Sequence, residues 1–173
     1  MVKFTKKVKE LFGNFSYAWL ERKEPYINTE IIEKHYNEHV GCLKNIESVP
    51  DNHFKYHTHM ANLWDRKARL AKDINDSRDE IKEKLTGMIT AYGTSAGSVG
   101  GAAIIAPSIY ANNSEFLSRI AFFGFVLLSG ITFYNGIQTQ RRLNRIVKEH
   151  KNDVRRYKKT EDNIERLKNK QVR

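Results

Sequence analysis

One cysteine, Cys42, is all the sequence offers in thiol chemistry. It excludes an intrachain disulfide and agrees with a reducing compartment. Three prolines, Pro25, Pro50 and Pro107, leave long stretches of chain without a helix breaker. Strand-like alternation is absent, as is any internal repeat. The cysteine, proline or glycine excess of a disulfide-rich or collagen-like chain is missing too, and a polytopic membrane chain is excluded by the composition. What dominates is positive charge: 30 Lys and Arg against 20 Asp and Glu, a net of +10 in 173 residues. With a pI near 9.7 and a mean hydropathy of −0.62, these averages describe a small, basic, soluble nucleic-acid binder. The averages mislead, because polar and apolar residues are segregated.

Charge is entirely missing from two stretches. Leu85 to Ser114 runs 30 residues without a charged side chain, and Ile120 to Gln140 another 21. A charge at the centre of a bilayer costs a few kcal/mol, so such runs predict spanning helices. The second run, centred on Phe122-Phe123-Gly124-Phe125-Val126-Leu127-Leu128, is strongly apolar. The first is diluted by glycine, serine and threonine, and a buried soluble hairpin or a flexible loop is its other reading. Gly93, Gly97 and Gly101 recur every four residues, which puts them on one helix face where a second helix can approach closely. Thr90, Thr94 and Ser98 form the least apolar stripe and are the candidates to face a pore. Pro107 and Asn112-Asn113 predict a short turn between the spans. Lys82 and Lys84 precede the hairpin, and Arg141, Arg142 and Arg145 follow it, which predicts cytoplasmic termini. The basic start of the chain has no apolar core behind it, so no signal peptide is expected.

These features predict an all-α chain in three segments: an N-terminal cytoplasmic helical region (1–84), a transmembrane helical hairpin (85–140) and a basic C-terminal cytoplasmic helix (141–173). Their charges are +2, 0 and +8. The last segment, with Arg141, Arg142, Arg145, Arg155 and Arg156, reads as positive-inside topology and attraction to anionic headgroups. RNA binding is the alternative, with only Tyr157 there to stack a base.

Within 1–84 three helices are expected. Phe4, Val8, Leu11, Phe12, Phe15 and Trp19, with lysines between them, predict a basic amphipathic helix. It either lies on an anionic membrane or packs against the protein's own helices. A second starts at Asn28 or Thr29, ends before Pro50, and carries the stripe Ile31, Ile32, Tyr36, Val40, Leu43 and Ile46. The third starts after Pro50-Asp51 and continues into the first span. Its seam, Trp64, Ala68, Ala71, Ile74, Ile81, Leu85 and Met88, is heptad-like, and so is Leu143, Ile146, His150, Val154, Tyr157, Ile164 and Leu167 beyond the second span. The long helices should therefore run out of the hairpin antiparallel and form a cytoplasmic bundle.

Histidine carries the candidate chemistry. His35-Tyr-Asn-Glu-His39 has the spacing of an inverted zinc-protease motif, and Cys42 lies one turn on. A polar helix face is the plainer reading, and no cofactor is expected. Arg145-Ile-Val-Lys-Glu-His150 matches the short end of the Arg-x(4–6)-His signature of HEPN ribonucleases. There the histidine moves a ribose hydroxyl proton and the arginine holds the phosphate. Positions five apart on a helix point about 140° apart, so one copy makes no compact site. Ile146 departs from the polar residue that commonly follows that arginine.

In length, spans in the C-terminal half and Arg145…His150 just past the last span, the chain resembles the small membrane accessory protein of type VI-B CRISPR loci. The resemblance implies a ring-shaped homo-oligomeric pore that disrupts the bacterial inner membrane beside an RNA-guided RNA nuclease in antiphage defence. It implies a structural Arg145 and His150 rather than a catalytic pair. Two-span effectors of nucleotide-triggered defence are similar in the charged helix with His150 and Tyr157 after the hairpin. Apolipoprotein-L-like proteins are similar in the glycine-rich hairpin ending at Ala106-Pro107. All three act on membranes. The expected function is therefore membrane permeabilisation, with a membrane-tethered HEPN-like ribonuclease or a non-conducting scaffold as alternatives.

Overall fold

The computed structural model describes residues 2–48, 51–110 and 116–171. Four helices make up the fold: α1 (Val2–Glu21), α2 (Thr29–Ser48), α3 (Asp51–Tyr110) and α4 (Phe116–Gln171). No strand occurs among the described residues, so the chain is all-α. The expected turn at Asn112-Asn113 lies outside the described residues, as do the side chains of Phe4, Val8, Leu11 and Phe12.

Local sequence explains where the short helices stop and start. After α1, Pro25 cannot donate a helical hydrogen bond, and Lys23 and Glu24 close the last turn onto the carbonyls of Leu20 and Glu21. Asn28 caps α2: its Oδ1 accepts from the Glu30 amide at 3.0 Å, and its carbonyl takes the Ile31 amide at 2.9 Å. Glu30 in the first turn adds a favourable charge at the positive end of the helix dipole. α3 and α4 are long, at 60 and 56 residues, because nothing in 51–106 or 116–171 breaks them. Pro107 sits in the final turn of α3, which continues to Tyr110.

The chain divides into two compact units. One comprises Met1–Trp19 and Ile81–Arg145, the other Leu20–Glu80 and Ile146–Arg173.

In the first unit, α3 and α4 run antiparallel. Gly87 lies against Thr139, Ser95 against Ser129 and Gly101 against Phe125. Met88, Ser95, Ser98 and Ala102 form the buried line of α3, at spacings of seven, three and four. Ser95 and Ser129 satisfy each other: the Ser95 hydroxyl donates to the Ser129 carbonyl at 3.2 Å, and the Ser129 hydroxyl to the Ser95 carbonyl at 3.4 Å. Such reciprocal small-residue contacts let helices approach where no hydrophobic effect drives them together. Nearer the charged ends, Tyr92 spans the pair, donating to Gln140 Oε1 at 2.8 Å and tilting on Phe133 at 5.8 Å. Gly136 makes room for that ring; a Cβ there would stand 2.7 Å from it. Gly136→Ala must therefore displace Tyr92 or separate the helices, an overpacking cost of about 1–3 kcal/mol. Thermal unfolding in detergent checks this, and Tyr92→Ala in the same background should relieve it.

In the second unit, Met60, Leu63, Trp64 and Ile164 form a core against which Cys42, Tyr56 and Leu167 pack. The connector into α2 is fastened to α3 by Asn75, which bonds both the amide and the carbonyl of Ile27 at 2.9 Å. Tyr26 donates to Asp79, and Arg78 to the Pro25 carbonyl.

All seven residues of the expected α3 seam are buried, as are Leu143, Ile146, His150 and Ile164 of α4. Helix α2 corrects the expected face. On α2, Ile31, Tyr36, Val40 and Leu43 are exposed, and the helix turns Ile32, His35, His39, Cys42 and Ile46 inward. Those five follow the three–four spacing of a packed face, and hydrogen bonds to both histidines offset their desolvation. On α1, Ala18 and Glu21 are buried while Phe15, Trp19 and Leu20 are exposed.

Candidate functional site

Among the described residues, α4 alone is long and apolar enough to cross a membrane. Its most apolar 18-residue stretch is only 6% buried. Phe123, Val126, Leu127, Ile131, Phe133 and Tyr134 are all exposed, Phe123 at 64%. A core helix of a soluble protein would bury those side chains; leaving them in water would cost about 1.5–3 kcal/mol each. The apolar end of α3 is also open, with Ile104 at 81% exposure and Val99 exposed. Its glycines and serines lower its hydropathy, as the sequence indicates.

Of the three glycines expected to pack helices, Gly101 alone is closely faced among the described residues: a Cβ there would stand 3.1 Å from the Phe125 ring. A Cβ on Gly93 or Gly97 would meet nothing within 4 Å. These two lie on the open side of α3, away from the Ser95–Ser98–Ala102 line. The stripe expected to face a pore divides. Thr90 and Thr94 are exposed, but Ser98 is buried, its hydroxyl donating to the Thr94 carbonyl at 2.9 Å. Arg141, Arg142, Arg145, Arg155 and Arg156 are all exposed, as headgroup contacts require.

Two polar clusters lie inside the second unit. In one, His150 of α4 is completely buried. Its Nδ1 is 2.6 Å from the Ser77 hydroxyl, which donates to the Ile74 carbonyl, and its Nε2 is 3.0 Å from Glu21 Oε1. Arg78 Nε donates to that carboxylate oxygen at 2.6 Å. Burial pushes the His150 pKa down, and the Glu21 charge offsets only part of it. Burial by itself would raise Glu21, but the hydrogen bond from Arg78 and the positive charges beside it hold the carboxyl below its ordinary range. A general base must reach the hydroxyl it deprotonates. With no exposed surface and both nitrogens close to protein oxygens, His150 has no path to a substrate here, while Arg145 is exposed. His150 thus joins α4 to Ser77 of α3 and Glu21 of α1.

In the other cluster, His35 of α2 lies against the Trp64 and Tyr157 rings at 5.3 and 6.2 Å. Its Nε2 is 3.0 Å from the Tyr157 hydroxyl, while Nδ1 is buried with no hydrogen-bond partner among the described residues. Lys67, also buried, pairs with Glu161 at 2.7 Å and stands over the rings of Trp64 and Tyr157. Burial, reinforced by the Lys67 charge, pushes the His35 pKa down to about 4. His39 turns elsewhere, its Nδ1 donating to the Ala61 carbonyl at 2.9 Å, and Cys42 packs on the Met60 core. His35, His39 and Cys42 thus do not converge. Among the described residues no group of three His, Cys, Asp or Glu side chains could hold a metal ion.

No family model, curated protein or solved structure matches the chain. Function therefore rests on the residues themselves. Sequence reasoning placed His150 on a seam but missed its partners Glu21, Ser77 and Arg78. No local spacing links them to His150 of α4, since they come from α1 and α3. The Lys67–Glu161 pair was missed for the same reason. A lysine and a glutamate in two charged helices carry no mark of burial.

Proposed function

We propose that the chain is a membrane-inserted effector. On this reading α3 and α4 enter the bacterial inner membrane as a two-span hairpin, with both termini cytoplasmic, and several copies assemble into a pore that depolarises the cell. The 6% burial of the apolar stretch of α4 carries the reading, because lipid is the medium in which such exposure costs nothing. The charged flanks support the orientation: Lys82 and Lys84 on α3 and Arg141, Arg142 and Arg145 on α4 fall at the same end of the hairpin. The satisfied Ser95–Ser129 pair supports burial of this contact in hydrocarbon, where an unpaired hydroxyl would be expensive. Gly93 and Gly97 supply an open, small-residue face to a neighbouring copy. The resemblance to the type VI-B accessory protein supports a role beside an RNA-guided RNA nuclease in antiphage defence, a reading that invokes neither cofactor nor turnover.

Gly97→Leu tests the assembly. Since a Cβ there would meet nothing within 4 Å, the hairpin should stay folded. Ion flux from proteoliposomes should fall about tenfold, and the assembled species should shrink. Unchanged flux and size would rule out this packing face, and a wild-type chain that inserts without conducting would leave a scaffold.

A further inference from the structure

The outward face of α1 is not used by that function. Helix α1 buries Ala18 completely and leaves Phe15 and Trp19 at 36% and 40% exposure. The two rings stack with centroids 6.4 Å apart and present one continuous aromatic surface. An amphipathic helix of a soluble bundle does the reverse and buries its largest apolar side chains. Between Val2 and Leu20 the sequence carries Lys3, Lys6, Lys7 and Lys9 against a single acidic residue, Glu10. A tryptophan, whose indole N–H gives it a polar edge, in a lysine-rich amphipathic segment is the composition of helices that lie in the headgroup layer of a bilayer.

We propose that α1 docks its Phe15–Trp19 face onto the surface of an anionic bilayer, as an in-plane anchor beside the spans. Two observations select lipid over a second copy of the chain. Val2–Leu20 carries four lysines against one glutamate, so two copies of this face repel where anionic headgroups attract. Met1–Trp19 also belongs to the same compact unit as Ile81–Arg145, which contains the apolar stretch of α4. The proposal rests on the membrane-inserted reading but not on conductance. It gives the basic start of the chain a partner, with phosphatidylglycerol-type headgroups as the ligand chemistry.

The two tryptophans make the test direct, because Trp64 is buried in the other unit. Full-length Trp64→Phe carries Trp19 as its only indole. It is reconstituted into phosphatidylcholine vesicles with and without phosphatidylglycerol, using lipids brominated just below the headgroup. In anionic vesicles Trp19 emission should be quenched about twofold by the brominated lipid and protected from aqueous iodide. In pure phosphatidylcholine most of that quenching should be lost. The wild-type chain, in which Trp64 adds a constant background, should show the same difference. Iodide access with no lipid quenching would overturn the proposal. So would protection from both quenchers, which would assign the face to a protein contact. A control carries Phe123→Trp in a chain with Trp19→Phe and Trp64→Phe. If position 123 is quenched and Trp19 is not, the anchor fails and the span stands. If neither is quenched, the membrane-inserted reading fails with it.

Discussion

Replacing Arg78 by Met should cost the folded chain about 3–5 kcal/mol, the largest effect expected of any single substitution outside the hairpin. The guanidinium sits 2.6 Å from Glu21 Oε1, both side chains are largely buried, and a second arm of Arg78 fastens the Pro25 carbonyl. Methionine keeps most of the volume and removes the charge. Glu21 would then face only His150, whose own burial opposes protonation. An uncompensated carboxylate in that position costs far more than the pair contributed when intact. The double variant Arg78→Met with Glu21→Leu removes both charges and should recover most of the loss. Unfolding in detergent micelles, followed through Trp64 emission, measures both. An Arg78→Met variant within about 1 kcal/mol of wild type would show the pair to be energetically idle.

Acid should weaken the bundle through His35. Its folded pKa of about 4 lies below the ordinary histidine value of 6.5, so the unfolded chain takes up the proton first as pH falls. The stability linked to His35 is therefore complete above about pH 6.5 and lost progressively down to about pH 4. A shift of that size corresponds to about 3 kcal/mol over the window, at 1.36 kcal/mol per unit. His150 acts with the same sign, because burial depresses its pKa as well, and Glu21, also lowered, extends the loss to more acidic pH. The groups facing His35 are Lys67 and Lys34, which oppose its protonation, and Glu161, which favours it. Unfolding free energies at pH 7, 6, 5 and 4 should fall less steeply in His35→Gln than in wild type. Parallel profiles would mean that His35 does not titrate between the two states.

The helices were legible because their signals are local. Asn28 before Thr29, Pro50 before Asp51, and the absence of a breaker beyond them mark α2, α3 and α4 directly. The α3 seam was legible because its apolar residues keep the helical period through a charged segment. What failed depended on partners distant in the chain. α2 turns His35 and His39 inward since Tyr157 and Ala61 offer them hydrogen bonds, and no reading of α2 alone contains those partners. The glycines were recognised as packing positions, but which of them meets a neighbour depends on the register of α4. That register brings Phe125 to Gly101 and Tyr92 to Gly136, and leaves Gly93 and Gly97 open. The face of α1 was ambiguous in sequence because its stripe suits a protein partner and a lipid surface equally.

Cys42 packs half-buried beside Tyr56 and the Met60 core, and burial, helped by the Glu38 charge, pushes its thiol pKa up. Little thiolate exists at neutral pH, so oxidants and alkylating reagents meet a poor nucleophile. For anyone labelling this protein, the native thiol is a quiet background. A reporter cysteine can be introduced at an exposed position and modified selectively, with Cys42 left in place to keep its packing.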